Sequence, residues 1–280
     1  MHLTLKALTL SFLACSASSL QEKSPVLEKG AASEKRVVGE EGFVSLFDGE
    51  CLQGWKSVHS KGEGDWGPFS VNKEEKAIHV YAGEEAGSKQ VSDCLNTEKE
   101  YSRYILKLEY KWEGNRHAPR TDWDRDSGLL FHIHGDLTKV WPHCIEMQIG
   151  ESPADKPQGK KSEGRFHSGD LFVLGRHLRV QSNRTDNFWD PKGGVHTGRS
   201  GPTKRGVEKP KGQWNAMELH VHGSDKAVFM LNGEVVYEIA NMEQQVGEEF
   251  VPLEKGCIGL QAEWAEIMFR NVRIKELPAK

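Results

Sequence analysis

Two short stretches place acids, amides and imidazoles at alternate positions. They are residues 129–134, Leu-Leu-Phe-His-Ile-His, and residues 145–149, Ile-Glu-Met-Gln-Ile. In a β-strand, alternate side chains point to opposite faces. Phe131 and Ile133 then face one way, and His132 and His134 the other. Ile145, Met147 and Ile149 share a face, with Glu146 and Gln148 opposite. If both strands lie in one sheet, imidazoles, a carboxylate and an amide gather on a single surface. That surface suits binding of a polar ligand such as a sugar, or acid–base chemistry on one. A solvated face of an antiparallel sheet gives the same pattern for any single strand. The pattern recurs, however: Gln261 and Glu263 alternate in the same way, and Asp170 precedes another strand-like run.

Two carboxylates across a cleft can act as general acid and base, or can hold sugar hydroxyls. Glu146, Glu263 and His134 are therefore the candidate catalytic residues, and Gln148, Asp170 and Gln261 candidate substrate ligands. His132 and His134 are spaced to put two imidazoles on one face, as metal sites on strands do, so a divalent metal ion is a candidate cofactor. The same spacing at His220 and His222 shows that the pattern alone does not identify a site. His167 precedes Gly169-Asp170 and could reach the same cleft. Arg270, in an otherwise apolar strand, reads either as a substrate ligand or as half of a partly buried ion pair. Trp141, Trp189 and Trp264 lie at strand ends or in loops and are the stacking candidates, whereas Trp55, Trp214 and Phe269 read as core.

The elements that must position these groups are strands. The 280 residues include 29 Gly and 8 Trp but only 37% hydrophobic residues, a balance that fits a turn-rich all-β protein. Short strand-like runs cover 77–81, 104–112, 127–134, 144–149, 170–174, 178–181, 214–222, 227–231, 234–239, 257–262 and 267–274. Asn232-Gly233 between two of them predicts a two-residue hairpin. No long amphipathic helix is predicted. Segments 115–126 and 186–211 interrupt the rhythm, and long loops in a compact domain are either functional or disordered. The net charge of −4, with both signs interspersed, gives no reason to expect nucleic acid.

Residues 1–20 read as an export signal: Lys6, then an apolar run over 7–14, then small residues. Phe12-Leu13-Ala14-Cys15 is also an imperfect lipobox, so the chain is expected to be periplasmic, extracellular or lipid-anchored to a membrane through Cys15. Residues 21–41 read as a linker and 42–278 as one folded domain. Cys51, Cys94, Cys144 and Cys257 permit three disulfide pairings, and a free buried Cys144 is equally compatible.

The order of several motifs resembles the 3-keto-disaccharide hydrolase domain family. These are Phe43-Val44-Ser45-Leu46-Phe47-Asp48-Gly49 with Leu52-Gln53-Gly54-Trp55, Asp126-Ser127-Gly128-Leu129, Trp141-Pro142, and Ile145-Glu146-Met147-Gln148-Ile149. Gly169-Asp170, Gln213-Trp214-Asn215, Leu231-Asn232-Gly233, residues 258–263 and residues 269–274 complete the set. The resemblance spans about 42–277. It implies a concanavalin A-like jelly-roll sandwich of two antiparallel sheets with a concave ligand face. It also implies cleavage of glycosides whose sugar carries a ketone at carbon 3, by elimination and hydration or by hydrolysis. A non-catalytic carbohydrate-binding module is the alternative on the same scaffold.

Overall fold

The computed structural model describes residues 42–62, 64–155, 167–175, 177–182, 184–185, 188–189, 195–196, 198–201 and 204–280. The predicted export signal, Cys15 and the linker lie outside the described residues, as does part of the basic segment 186–211. In chain order the strands begin β1 (Val44–Ser45), β2 (Trp55–Ser57), β3 (Phe69–Asn72), β4 (Ala77–Val80), β5 (Asp93–Thr97), β6 (Arg103–Arg116) and β7 (Asp126–His134). There follow β8 (His143–Gly150), β9 (Leu171–Leu174), β10 (Leu178–Ser182), β11 (Arg184–Thr185), β12 (Phe188–Trp189), β13 (Val195–His196) and β14 (Gly198–Ser200). The last are β15 (Asn215–His222), β16 (Lys226–Leu231), β17 (Glu234–Val246), β18 (Glu249–Pro252), β19 (Cys257–Ala262) and β20 (Ala265–Glu276).

Two antiparallel sheets form a jelly-roll sandwich. One runs β13-β10-β17-β16-β15-β6-β20-β4-β3, with β1 and β18 alongside, and the other runs β14-β9-β8-β7-β19-β5-β2. Leu129, Phe131, Ile145, Met147 and Ile149 of the smaller sheet pack in one apolar core with Leu106, Leu108, Leu219 and Phe229 of the larger. The edge-to-face pair Phe131–Phe229, with ring centroids 5.9 Å apart, joins the two layers.

The larger sheet behaves as strand parity demands. Along β6, Tyr104, Leu106, Leu108, Tyr110 and Trp112 are buried while the residues between them are half-exposed. The predicted hairpin forms: Leu231 pairs directly with Glu234, and Asn232 and Gly233 both have positive φ, which the favoured two-residue turn requires. The smaller sheet departs from alternation. β5 and β19 are buried at every position, and β7 and β8 at all but one terminal histidine each. Its second face carries polar side chains, yet loops cover it. A solvated outer face is therefore not what this chain builds.

One local expectation is corrected. The pairing of β7 with β8 slips between Phe131 and His134, and His132 takes a φ of 51°, in the left-handed region. This bulge breaks the alternation, so His132 and His134 do not share a face. The His132 ring is buried and its Nε2 bonds the carbonyl of Gly223, 3.0 Å away at the turn between β15 and β16.

Candidate functional site

The outer face of the smaller sheet is built by register. Gly128 of β7 stands opposite Gln148 of β8, Leu130 opposite Glu146, and on the other flank Leu130 opposite Gly259 of β19. Gln261 shares parity with Gly259, and Cys94 of β5 pairs with Gln261. Glu146, Gln148, Gln261 and Gly128 therefore come together on one surface, as strand parity predicts. Gly128 is needed here for space. A Cβ on it would stand 2.3 Å from Oε1 of Glu146 and 2.6 Å from Oε1 of Gln261. The carboxyl and the amide close over bare backbone.

Glu146 is 4% exposed, and no cation pairs with it among the described residues. Burial, with Glu263 and Asp170 adding repulsion, pushes its pKa well above the ordinary glutamate value of 4.5. Oε1 of Gln261 is buried without a hydrogen-bond partner, as is Oδ1 of Asp170. The other Asp170 oxygen accepts from Arg199 Nη2 at 2.6 Å and from the backbone N–H of His167 at 3.2 Å. Burial nevertheless raises the pKa of Asp170, against the pull of Arg199.

A second group of acids adjoins the first. Arg120 donates from one Nη1 to both Asp126 and Glu263, the latter at 2.7 Å. Gln148 donates to Asp126 and to the carbonyl of Ser127. Oε1 of Glu263 accepts from the Trp141 indole at 2.8 Å. Asp126 is held well above its ordinary 3.8 by burial first and by Glu263 next, despite Arg120. Trp141 sits in the loop that leaves the His134 end of β7, whereas Glu263 neighbours Asp126 at the other end. The loop over 135–142 therefore reaches back along the sheet as far as Glu263. The Trp141 ring, 49% exposed, packs beside Trp264 and remains open to a ligand. Arg120 lies over the rings of Trp123 and Trp264, at 5.0 and 4.5 Å.

Of the residues expected in the site, Glu146, Gln148, Gln261, Asp170, Glu263 and Trp141 are brought to this face or its rim. Gln148 spends its amide on Asp126 and Ser127. Arg270 is not there: it lies on β20 in the other sheet, bonded to Glu109 at 2.6 Å and stacked on Trp214 at 3.9 Å. Its expected ion pair is formed and its substrate role has no seat. His134 stands at the strand ends beside His143 and His177. The metal pair expected on His132 and His134 does not form, because the bulge sends the two rings apart and His132 Nε2 is already bonded. Burial pushes His132 down to about 4. Cys51, Cys94, Cys144 and Cys257 are all free, and the last three pack with Leu130 and Ile133 as small apolar residues.

Three elements were not legible as site parts. Arg120 comes from segment 115–126, which reads in sequence only as a break in the strand rhythm, and Asp126, though part of the Asp126-Ser127-Gly128-Leu129 motif, carries no local sign of a site role. Segment 115–126 is held by Glu151, whose buried carboxylate binds Arg116 at 2.8 Å and also Arg125. His143 and His177 carry no pattern near His134 in sequence, although the pairing of His134 with His143 across the β7–β8 hairpin would have joined two of them.

The space above Gly128 gives a direct test. Gly128→Ala forces the Glu146 carboxyl and the Gln261 amide aside, and both are ends of flexible side chains, so the fold should persist. If Glu146 is the reacting group proposed below, activity should fall about 100-fold, the cost of misplacing such a group by roughly 1 Å. Thermal melting and turnover measured on the same preparation check both halves.

Residues 42–275 match the model of the 3-keto-alpha-glucoside-1,2-lyase-like domain. The chain belongs to this family. No curated protein matches it. Among solved structures, a proposed glycosyl hydrolase from Parabacteroides distasonis ATCC 8503 is 19% identical, with a TM-score of 0.53. That alignment covers 87% of this chain and 99% of the other. A second proposed glycosyl hydrolase from the same organism is 20% identical, with 80% and 99% coverage and a TM-score of 0.44. The carbohydrate-binding module CBM66 from Bacillus subtilis is 11% identical, with 80% and 96% coverage and a TM-score of 0.44. The first of these supports the sandwich fold of the family member described here.

Proposed function

We propose that the protein is an exported enzyme that cleaves 3-keto-glycosides by removing the proton on carbon 2. The observation that carries this reading is Glu146: a desolvated carboxyl without a cation, set over Gly128 on a face lined by unpaired acceptors. Family membership supplies the substrate class.

A ketone at carbon 3 acidifies the hydrogen at carbon 2. Glu146 as carboxylate accepts that proton, and the electron pair forms the enolate. Collapse of the enolate makes the carbon 1–carbon 2 double bond and breaks the bond from carbon 1 to the leaving oxygen. The leaving oxygen takes a proton from Asp126, whose hold on a proton burial and Glu263 strengthen against the pull of Arg120. Water then adds across the double bond and restores a 3-keto-sugar. Gln261 and Asp170, each with a buried oxygen lacking a donor, supply acceptors for sugar hydroxyls. The exposed Trp141 ring offers an apolar platform for the sugar, as indole faces commonly do at polar ligand sites.

The test is release of the alcohol or second sugar from a 3-keto-glycoside and from the parent glycoside. The reading expects turnover of the first only, because without the ketone the proton at carbon 2 is not acidic. Binding of both without release would favour a carbohydrate-binding module. Equal cleavage of both would favour direct hydrolysis by two carboxylates. Export rests on the N-terminal sequence. It predicts a mature chain that begins near residue 20 or carries lipid on Cys15, read by mass spectrometry.

A further inference from the structure

We propose that His134, His143 and His177 form a divalent transition-metal site at the end of the sandwich, separate from the Glu146 face. One ring nitrogen from each lies within 4.8 Å of the other two. His134 ends β7 and His143 begins β8, and the two pair across the hairpin, while His177 stands in the turn between β9 and β10. His143 shares parity with Ile145 and Met147, the core-facing set, and not with Glu146 and Gln148.

The state of His134 points to a ligand. Its Nδ1 is 2.8 Å from the carbonyl oxygen of His132. A carbonyl can only accept, so Nδ1 carries a proton, and in the neutral ring the lone pair is then on Nε2. That Nε2 is buried and has no hydrogen-bond partner. A metal-bound imidazole has this arrangement: one nitrogen donates to a backbone carbonyl and fixes the ring, and the other is left for the ion.

The backbone leaves room for the triad. Gly135 and Gly175 both have positive φ, and Cβ atoms there would stand 3.3 and 3.1 Å from the His143 ring. Zinc with Zn–N bonds of about 2.0–2.1 Å brings tetrahedral donors to roughly 3.4 Å from one another. The three nitrogens must therefore close by little more than an ångström, within reach of side-chain torsions at a turn. The His143 and His177 rings, with centroids 3.9 Å apart, are the pair that must turn. Three neutral imidazoles suit zinc, cobalt, nickel or copper and do not suit magnesium or calcium. The fourth position is left to water. Such an ion would tie both ends of the 135–142 loop to the β9–β10 turn, and that loop carries Trp141.

The experiment uses the full chain without a histidine tag, stripped with a chelator and titrated with Co²⁺ and then Zn²⁺. The proposal expects one Co²⁺ per chain with tetrahedral or five-coordinate absorption bands, displaced by Zn²⁺. His143→Ala and His177→Ala should each weaken Zn²⁺ binding by about 100-fold or more, since changes even to residues behind the ligands cost 10–100-fold. Zn²⁺ should raise the Tm of the unaltered chain and leave the Tm of both variants unmoved. His220→Ala, with the same His-x-His spacing on the other sheet, should bind as the unaltered chain does. Absence of saturable binding overturns the proposal. So does binding that survives in both variants with an unchanged constant, or that His220→Ala removes. No substrate enters these measurements, so their failure leaves the reading of the Glu146 face standing.

Discussion

Glu146→Gln is expected to lower kcat/KM on a 3-keto-glycoside by about 10²–10⁴-fold, the usual contribution of a positioned general base. The same substitution is expected to stabilise the protein at neutral pH. The sign follows from the raised pKa. Between the ordinary 4.5 and the higher folded value, the native state holds a proton that the unfolded state has lost. Stability from this group is full below 4.5 and is lost as pH rises through the folded value. Glutamine resembles the protonated acid and never ionises, so the difference in Tm between variant and parent should grow with pH above 4.5. Glu146 must be ionised to accept a proton, so the acid limb of the parent's kcat/KM profile should lie above the normal glutamate range. Thermal melts and rate profiles from pH 4 to 8 read both effects. Loss of activity together with loss of stability would make Glu146 a structural residue.

Glu151→Gln should cost about 3–5 kcal/mol in denaturant unfolding, because it leaves Arg125 and Arg116 facing a neutral group in a dry setting. The Glu151 and Arg125 side chains are 1% and 3% exposed. Glu109→Gln, which removes the partner of Arg270, should cost only about 0–1 kcal/mol, since both side chains there are 30% exposed. The loss at Glu151 should also reduce turnover, because Arg125 adjoins Asp126 and Glu151 holds the segment that delivers Arg120. A cost below about 1 kcal/mol for Glu151→Gln would mean that the three charges are solvated.

What was legible in the sequence was whatever followed from strand parity and turn chemistry. Period-two alternation located β6, β8, β15 and β19, and Asn232-Gly233 located a hairpin. Parity on single strands also brought Glu146, Gln148 and Gln261 to one face. Parity failed at His132, because a bulge with positive φ inserts a residue, and nothing in Phe-His-Ile-His announces that. It could not assign Arg270 to a sheet, because its strand is apolar on either reading and only the pairing with β6 decides which layer it joins. The short strands β1, β2, β3, β5, β11 to β14 and β18 and the far half of β17 were missed because they have too few residues to show a period or carry polar ones. The role of segment 115–126 was hidden for another reason: Arg120 finds Glu263 across 143 positions of sequence. Long-range ion pairs leave no local trace.

The most direct test of the account follows the hydrogen on carbon 2. The protein is incubated with a 3-keto-glycoside in deuterium oxide, and carbon 2 of the released 3-keto-sugar is read by nuclear magnetic resonance. The account predicts deuterium at that carbon with the unaltered chain, at a rate matching release, and incorporation slowed by the same factor of about 10²–10⁴ with Glu146→Gln. Release of the leaving group with the original hydrogen retained at carbon 2 would contradict it.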